Sequence, residues 1–275
     1  MRKSIFEILN TKGNVNLQKE IDNIDWMIRE LYISNVGSLD DIIDEKIVKD
    51  WKYSQRCLDL NDLLEKLEIR KQDLHNVNYD LEHSLRYIEL MYNLVMVATE
   101  CLYRYGFEFE EPKEFERLKN NIKSLLEELN YEVVKIEDRY IIVEKDAKAT
   151  YVAESNPEIA TEIIEYRKYD LKGDVKAKKE ILLKLAPQVE GLRSKFSKTP
   201  YEKVMEDTHY FLNNFNIRHN NLEGKKKIDA ICTMKPEELE KWYDITYNNI
   251  LAIFIIKDYL DNKTDIENIK KIVKE

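Results

Sequence analysis

The residues best suited to chemistry in this 275-residue chain lie in one short polar segment. It contains, in order, Arg218, His219, Asn220 and Asn221, then Gly224 and the lysines Lys225, Lys226 and Lys227. An arginine can hold a phosphate through two parallel hydrogen bonds, and a histidine can take or give a proton near neutral pH. Asparagines can orient either group, and lysines add local positive charge. These groups suit phosphodiester cleavage, in which a 2′-hydroxyl loses its proton and the phosphorane charge is stabilised.

The same segment also has a purely structural interpretation. Asparagine-rich stretches often cap and end helices, and Gly224 fits the position after a helix C-terminus. Adjacent residues of an α-helix point about 100° apart. Arg218 and His219 can therefore face one small substrate only if the backbone is irregular there or a second chain contributes. Catalysis and helix termination both remain open for this segment.

The rest of the sequence offers little other chemistry. His75 and His83 are not at the i, i+4 spacing of a helical metal pair, and the cysteines form no C-x-x-C pair. The glycine motifs of P-loop, dinucleotide-binding and hydrolase sites are absent from the sequence. We therefore expect no metal site and no cofactor. Tyrosines can stack on bases, although core and rim packing explains them better; the candidates are Tyr103, Tyr105, Tyr166, Tyr169 and Tyr210.

Composition limits both the fold and the partners. The chain has only 6 glycines and 5 prolines, too few for the many tight turns of a sandwich, barrel or doubly wound sheet of this length. The sequence therefore predicts a mainly α protein, built as one or more elongated helical bundles. The 44 Lys+Arg against 53 Asp+Glu give a net charge of -9, which argues against a general DNA-coating protein but allows a local basic patch.

Cysteine usage and hydropathy predict a cytoplasmic protein without a membrane segment. Cys57, Cys101 and Cys232 are far apart in the sequence and fit reduced thiols. The longest apolar run, residues 250–256, is too short to cross a bilayer.

We expect three regions along the chain, covering residues 1–106, 107–155 and 156–275. In the first region, Ser38 and Asp41 have the spacing of a helix capping box. The apolar stretch up to Tyr105 predicts a central helix that Gly106 closes. Leucines spaced along residues 58–77 predict either a helix packed on one side or a short coiled-coil arm.

The second region combines a helix with the clearest β signal in the chain. Pro112 marks the start of the helix, and alternating apolar residues predict one β-hairpin near residues 131–144 with its turn at 137–139. A lone two-stranded hairpin is marginal in water, so we expect it to pack against the helices.

In the third region, the positions of the prolines predict where helices begin and where one is interrupted. Asn156 and Thr199 are capping residues that each precede a proline, so Pro157 and Pro200 are expected at the first position of a helix. Pro236, ahead of two glutamates, is expected to begin another helix in the same way. Pro187 instead falls inside a stretch of helical apolar periodicity, so it should kink or split that helix.

Around Arg218 the sequence resembles HEPN domains, small helical bundles of prokaryotic defence systems, toxin–antitoxin pairs and abortive-infection proteins. The family motif is an arginine, a polar residue and, a few positions later, a histidine, near the start of a late bundle helix. Arg218 matches the arginine and His219 the polar residue, but the closing position near 223–225 holds Glu223, Gly224 and Lys225. Either His219 substitutes for that histidine or the site is inactive. The resemblance covers about residues 156–260, and the stretch from Glu238 to Asp244 is similar to abortive-infection proteins as well.

The resemblance implies a bundle that dimerises, so that two copies of the Arg218 segment face each other and build one composite site. A dimer contact would also cover the helix from Trp242 to Leu260, whose apolar residues occur all round it. A cognate regulator protein is a further candidate partner.

Two functions follow as alternatives. The first is a metal-independent endoribonuclease of a defence system, in which Arg218 grips phosphate and His219 acts as acid or base. Asn220 and Asn221 would then orient the reacting groups, and the three lysines would bind RNA. The second is a non-catalytic helical module that binds a partner protein or RNA.

Overall fold

The computed structural model describes residues 16–33, 37–54, 56–69, 81–104 and 113–273. The chain forms two compact units, Met1–Lys145 and Asp146–Glu275. Both are predominantly helical, which confirms the mainly α prediction. The boundary between the units lies between the expected boundaries after residues 106 and 155, so the hairpin belongs with the N-terminal helices. The expectations at His75, Gly106 and Pro112 fall outside the described residues.

The described part of the N-terminal unit contains, in chain order, α1 (Leu17–Glu30), β1 (Tyr32–Ile33), β2 (Gly37–Ser38), α2 (Leu39–Ile42), a π-helical turn (Ile43–Ile47), α3 (Val48–Asp50), α4 (Leu60–Lys66), α5 (Leu81–Arg104), α6 (Lys113–Glu128), β3 (Tyr131–Ile136) and β4 (Arg139–Glu144). The predicted cap at Ser38 is confirmed, because its hydroxyl accepts the Asp41 N–H at 3.1 Å and begins α2. Helix α5 is central, as expected, with Leu85, Ile88 and Leu94 at most 1% exposed.

The helix predicted along residues 58–77 is interrupted after Lys66, and residues 70–77 of that prediction lie outside the described part of the chain. Helix α4 stops at Lys66, and Glu68 takes the left-handed conformation at φ 57°. The Ile69 N–H then bonds back to the Leu64 carbonyl at 2.8 Å, which closes the last turn. Glutamate seldom adopts a left-handed conformation, so its presence at position 68 does not predict a helix end. The leucine spacing does not predict one either.

The predicted hairpin is confirmed and packs on α5 and α6. Its strands pair from Tyr131↔Glu144 to Ile136↔Arg139. The free edge of β4 is bound by α5 side chains: Asn93 Nδ2 donates to the Tyr140 carbonyl at 2.7 Å, and Asn93 Oδ1 accepts the Tyr140 N–H at 2.8 Å. The α5 helix thus satisfies backbone groups that a third strand would otherwise pair, which stabilises a lone hairpin.

The described part of the C-terminal unit contains α7 (Ala147–Ser155), a 3₁₀ turn (Pro157–Ile159), α8 (Ala160–Glu165), a second 3₁₀ turn (Tyr169–Leu171), α9 (Val175–Gly191), α10 (Arg193–Phe196), α11 (Glu202–Asn214), a third 3₁₀ turn (Gly224–Lys226), α12 (Asp229–Cys232) and α13 (Pro236–Ile272). Pro157 and Pro236 begin their elements as predicted, and Pro200 lies just before the N-cap of α11. Helix α9 is not split at Pro187 but continues to Gly191.

The apolar middle of α13 is buried within its own unit. Tyr243, Ile250 and Ile253 are 0% exposed, and α7, α9 and α11 pack around this helix. The apolar residues that suggested a dimer contact between Trp242 and Leu260 therefore find most of their partners inside the chain. Among the described residues, no helix combines the length and apolar composition needed to cross a membrane.

Candidate functional site

The polar segment after α11 is an irregular loop, which we call the Arg218 loop (residues 215–228). Helix α11 ends at Asn214, and Asn216 turns the chain with a left-handed φ of 57°. The Arg218 N–H then bonds back to the Leu212 carbonyl at 2.9 Å. Arg218 and His219 therefore lie outside any helix, whereas the resemblance implies a motif near a helix start.

Asn221 holds the Arg218 loop together. It is only 2% exposed, and its Oδ1 accepts the Asn216 N–H at 2.8 Å. Its Nδ2 donates to the Lys226 carbonyl at 3.0 Å, and its carbonyl accepts the Ile228 N–H at 2.8 Å. Both ends of the amide are engaged by the loop backbone, so its observed contacts are structural. The neighbouring Asn220 is exposed and caps a tight turn by accepting the Leu222 N–H at 3.1 Å.

Arg218 forms an ion pair with Glu190, near the end of α9. The Arg218 guanidinium lies 2.6 Å from Glu190 Oε2, with the two side chains 28% and 47% exposed. Because both groups remain accessible to water, this pair can open when another anion competes for the arginine.

His219 and the three lysines of the predicted site do not take part in the Arg218–Glu190 ion pair. The His219 side chain is half-buried, and no hydrogen bond or ion pair of its ring occurs among the described residues. Lys225, Lys226 and Lys227 are exposed on the 3₁₀ turn and just after it. Lys227 pairs with Asp229 at 3.0 Å, while Lys225 and Lys226 form no ion pair within the part of the chain described.

His209, which the sequence analysis did not single out, lies in the same electrostatic environment as Arg218. It is on α11, 8% exposed, and its Nε2 has no hydrogen-bond partner among the described residues. Burial lowers the pKa of His209, and the Arg193 and Arg218 charges lower it further, while Glu190 opposes them. The imidazole is therefore held neutral at neutral pH. A sequence signal existed, since His209 follows Met205 by one helical turn and so shares its face of α11.

A cleft of about 600 Å³ lies between α9, α10 and α11, and Glu190, the ion-pair partner of Arg218, lines it. Its wall includes Glu190 and Arg193, with the hydroxyl residues Ser194 and Ser197. Glu202 and Glu206 line it from α11. A cleft of this size suits a small molecule or a single nucleotide.

A second charged cluster lies in the same unit, around the buried side chain of Lys178. Lys178 Nζ, 8% exposed at its side chain, lies 2.8 Å from Glu240 Oε1 and 2.7 Å from Asp244 Oδ1. Burial favours the neutral form of Glu240, but hydrogen bonds from the Gly173 N–H and Lys178 outweigh this, so the pKa of Glu240 is lowered. Tyr166 donates to Asp244 at 3.0 Å and stacks on Tyr247 with ring centroids 4.1 Å apart.

These contacts give the stretch from Glu238 to Asp244 a structural explanation. Glu240 and Asp244 face Lys178 across the helix packing, and the Trp242 ring packs on Phe211 and Phe215 at centroid distances of 5.3 and 5.2 Å. The carboxylates join α13 to α9, and the indole joins α13 to the end of α11.

Among the described residues, no three His, Cys, Asp or Glu side chains are grouped closely enough to hold a metal ion. No protein-family model, curated protein or solved structure matches this chain.

Proposed function

We propose that this chain is a HEPN-like RNA-binding protein of a prokaryotic defence system, in which the Arg218 loop binds RNA phosphates. The supporting observation is that Arg218 shares one loop of an acidic protein with two exposed lysines, Lys225 and Lys226, which form no ion pair with any residue that the structure describes. Phosphate neutralisation by such cations drives RNA binding through counterion release.

Loop rigidity supports the same proposal. The bonds of Asn221 to Asn216 and Lys226 hold the loop backbone in one conformation, so the cations are positioned before RNA arrives. Preorganisation of this kind reduces the entropy lost on binding.

An exposed aromatic ring lies beside the loop. Tyr210 is 59% exposed, and its ring centroid lies 6.3 Å from that of Phe215, the C-cap residue of α11. Exposed aromatic rings next to a basic segment can stack on unpaired bases, which favours single-stranded RNA as the ligand.

Salt-dependent RNA binding tests this function. We would measure the affinity for a labelled single-stranded RNA of about 12 nucleotides. The variant K225Q/K226Q/K227Q is compared with K263Q/K270Q/K271Q, which removes three exposed lysines from the far end of α13. We expect the loop variant to bind more weakly and its log–log salt slope to fall by about 2, since each contact with a single strand contributes about 0.7. Equal losses in the two variants, or no binding by the wild type at low salt, would contradict the proposal.

Metal-independent RNA cleavage is the second candidate function. The observation in its favour is the irregular backbone at Arg218 and His219, because the helical geometry that would separate their side chains is absent there. Arg218 would hold the scissile phosphate and His219 would transfer the proton. Incubation of RNA in EDTA with the wild type, Arg218→Ala and His219→Ala tests this candidate; cleavage that survives both substitutions would exclude these residues from catalysis.

The proposal also includes a cytoplasmic location, as cysteine usage and hydropathy predict, a homodimer, as the resemblance implies, and a cognate regulator protein as a further partner. The thiols of Cys57 and Cys232 are free, in agreement with a reducing compartment. Light scattering coupled to size-exclusion chromatography reports the dimer directly.

A further inference from the structure

The last part of helix α13 extends beyond the core of the C-terminal unit. The apolar side chains that pack on this core end at Leu260. The helix continues to Ile272, so residues 262–272 add about 16 Å of helix. Its apolar side chains are largely exposed, with Ile269 at 56% and Val273, the C-cap residue, at 79%. Large apolar side chains exposed close together indicate a surface that binds another molecule.

The side chains of this segment repeat with the spacing of a coiled coil. Alternating steps of three and four residues connect the positions that we call the α13 seam: Tyr259, Asn262, Ile266, Ile269 and Val273. This is the a/d pattern of a heptad repeat, with Asn262 and Ile269 at d and the other three residues at a. From Lys263 to Lys271, every residue outside the α13 seam is polar. One face of this helix end is therefore apolar and the other faces are suited to water.

The residues that flank the α13 seam have complementary charges. Asp265 occupies a g position and Lys270 the e position of the next heptad, and both are exposed. Neither forms an ion pair with any residue that the structure describes, whereas the preceding g residue, Asp258, lies 3.2 Å from Lys257 Nζ. In a parallel coiled coil, each g residue faces the e residue of the next heptad on the other helix. Asp265 would therefore face Lys270 of a second copy, while an antiparallel pair would bring like charges together.

Asn262 interrupts the apolar residues of the α13 seam. Its Nδ2 donates to the Asp258 carbonyl at 2.8 Å, which leaves its Oδ1 and its second N–H available. In a parallel pair in register, the two Asn262 amides face each other and can form a hydrogen bond. A shifted pair would place each amide against an apolar side chain, so a polar residue in the seam favours one register at a cost in affinity.

We propose that the α13 seam binds the same segment of a second copy of this chain, as a short parallel coiled coil. The charges select this partner, because each helix supplies both the acidic g residue and the basic e residue of the pair. The inference rests on the homodimer of the proposed function and gives that dimer an interface, but it does not depend on RNA binding. Since the α13 seam is only about two heptads long, we expect a dissociation constant in the micromolar range.

The proposed interface lies at the other end of α13 from the Arg218 loop. The ring of Trp242 packs on Phe215 at the start of that loop, and Trp242 is about 25 Å from Tyr259 along the helix axis. A parallel pair therefore leaves the α13 end beside each Arg218 loop outside the interface. The dimer that the resemblance implies, in which two Arg218 segments face each other, uses a different surface.

Sedimentation of the full chain at micromolar concentrations measures the dimer. Ile269→Ser removes an exposed apolar side chain from the α13 seam, and Leu183→Ser, 45% exposed on α9, is the matched control. We expect Ile269→Ser to raise the dissociation constant at least about tenfold, because each dimer loses two apolar side chains from its interface. Leu183→Ser should leave it unchanged. Circular dichroism checks that both variants are folded.

Charge exchange tests the parallel orientation. Asp265→Lys should weaken the dimer because it faces Lys270 of the second copy, and Lys270→Asp should weaken it for the corresponding reason. The combined variant D265K/K270D restores opposite charges and should recover the wild-type dissociation constant at low salt. In an antiparallel pair, each single exchange replaces one like-charge contact by another. Single variants that dimerise as tightly as the wild type would therefore contradict the parallel orientation.

Oxidative cross-linking tests the register. Asn262→Cys and Ile269→Cys, made separately, should each form a disulfide-linked dimer, because equal d positions face each other in a parallel pair in register. An antiparallel pair can place at most one of these positions opposite its equivalent. Leu183→Cys controls for chance collisions and for the native thiols. Cross-linking at only one of the two α13 positions would contradict the proposed register.

The outcomes separate this inference from the proposed function. A dimer that Ile269→Ser leaves unchanged would overturn the inference and assign the homodimer to another surface. A chain that stays monomeric up to about 100 μM would overturn both the inference and the homodimer, while RNA binding is judged by its own salt dependence. RNA affinity is measured below the dissociation constant of the dimer, so that the α13 lysines replaced in the control variant of that test do not affect it through dimerisation.

Discussion

The ion pairs of Lys178 lead to a specific prediction about the free energy of unfolding. Its ammonium group is buried against Glu240 and Asp244, and the Glu240 side chain is only 15% exposed. Replacement by methionine keeps the volume but leaves Glu240 as a buried charge without its cation. We expect Lys178→Met to lower the free energy of unfolding by about 3 kcal/mol, measured by urea unfolding near neutral pH.

The pH dependence distinguishes loss of the ion pair from loss of packing. The pKa of Glu240 is lowered in the folded wild type. The ionised carboxylate therefore contributes its full stabilisation of the folded protein above the usual carboxyl pKa, and this contribution is lost as pH falls through the lowered pKa. In Lys178→Met the pKa of Glu240 is lowered less, because only the Gly173 N–H still donates to its carboxylate, so the variant should lose less stability than the wild type as pH falls from about 7 to about 4. Adding Glu240→Gln to Lys178→Met should recover part of the loss. Parallel pH profiles for wild type and variant would contradict this account.

At this scale the sequence identifies residue types but not their partners. Asn221 reads as a candidate catalytic group because its side chain can orient a proton, yet its burial and its bonds to Asn216 and Lys226 appear only in the folded loop. Likewise, Arg218 is recognisable as a phosphate ligand, but its neighbours Glu190 and His209 come from two other elements. Local spacing contains no information on contacts of that range.

At the scale of single elements, helix α9 contains a proline in its interior, which should reduce its stability. Pro187 lies inside it without ending it, and its exposed ring has no N–H to donate to the Leu183 carbonyl one turn earlier. We expect Pro187→Ala to raise the free energy of unfolding by about 1–3 kcal/mol, because it restores that hydrogen bond and a better helix former.

Thermal unfolding followed by circular dichroism measures this effect. Gln188→Ala is the matched control: it is also exposed and adjacent, and it should change stability by less than about 0.5 kcal/mol. A lower melting temperature for Pro187→Ala would show that the proline conformation is required in α9.

Element boundaries were predictable where a residue has one strong local preference. Ser38, Pro157 and Pro236 begin their elements, and the alternation in residues 131–144 predicts the observed hairpin. Two local signals did not predict the observed boundaries. Helix α4 stops at Lys66, where Glu68 adopts a left-handed conformation that the leucine spacing does not predict. Helix α9 is not split at Pro187, because Leu182, Leu185 and Val189 are fully buried along its other face.

At the scale of the whole molecule, the division into two units depends on α7. The expected boundary after residue 155 assigned this helix to the middle of the chain, but its Ala149 and Val152 are 0% exposed within the C-terminal core. Helix α7 packs on α8 and α13, and Asn156, 2% exposed, donates its N–H to the Val152 carbonyl at 3.0 Å. A local signal marks the junction: Asp146 caps the start of α7 by accepting the Lys148 and Ala149 N–H groups, but a helix cap does not show to which core the helix belongs.

Among the described residues, the hydrophobic core of the C-terminal unit is formed by buried side chains from Ala149 to Phe254. We therefore expect a fragment of residues 146–275 to fold alone, with a helical circular dichroism spectrum and a cooperative thermal transition. A fragment of residues 156–275 is the matched control. It lacks α7, so it leaves the apolar surface that Val152 covers exposed, and its free energy of unfolding should be lower by several kcal/mol, about the cost of emptying a buried site. Equal stability of the two fragments would place α7 outside the core, and absence of a cooperative transition in the longer fragment would mean that the C-terminal unit requires the N-terminal unit to fold.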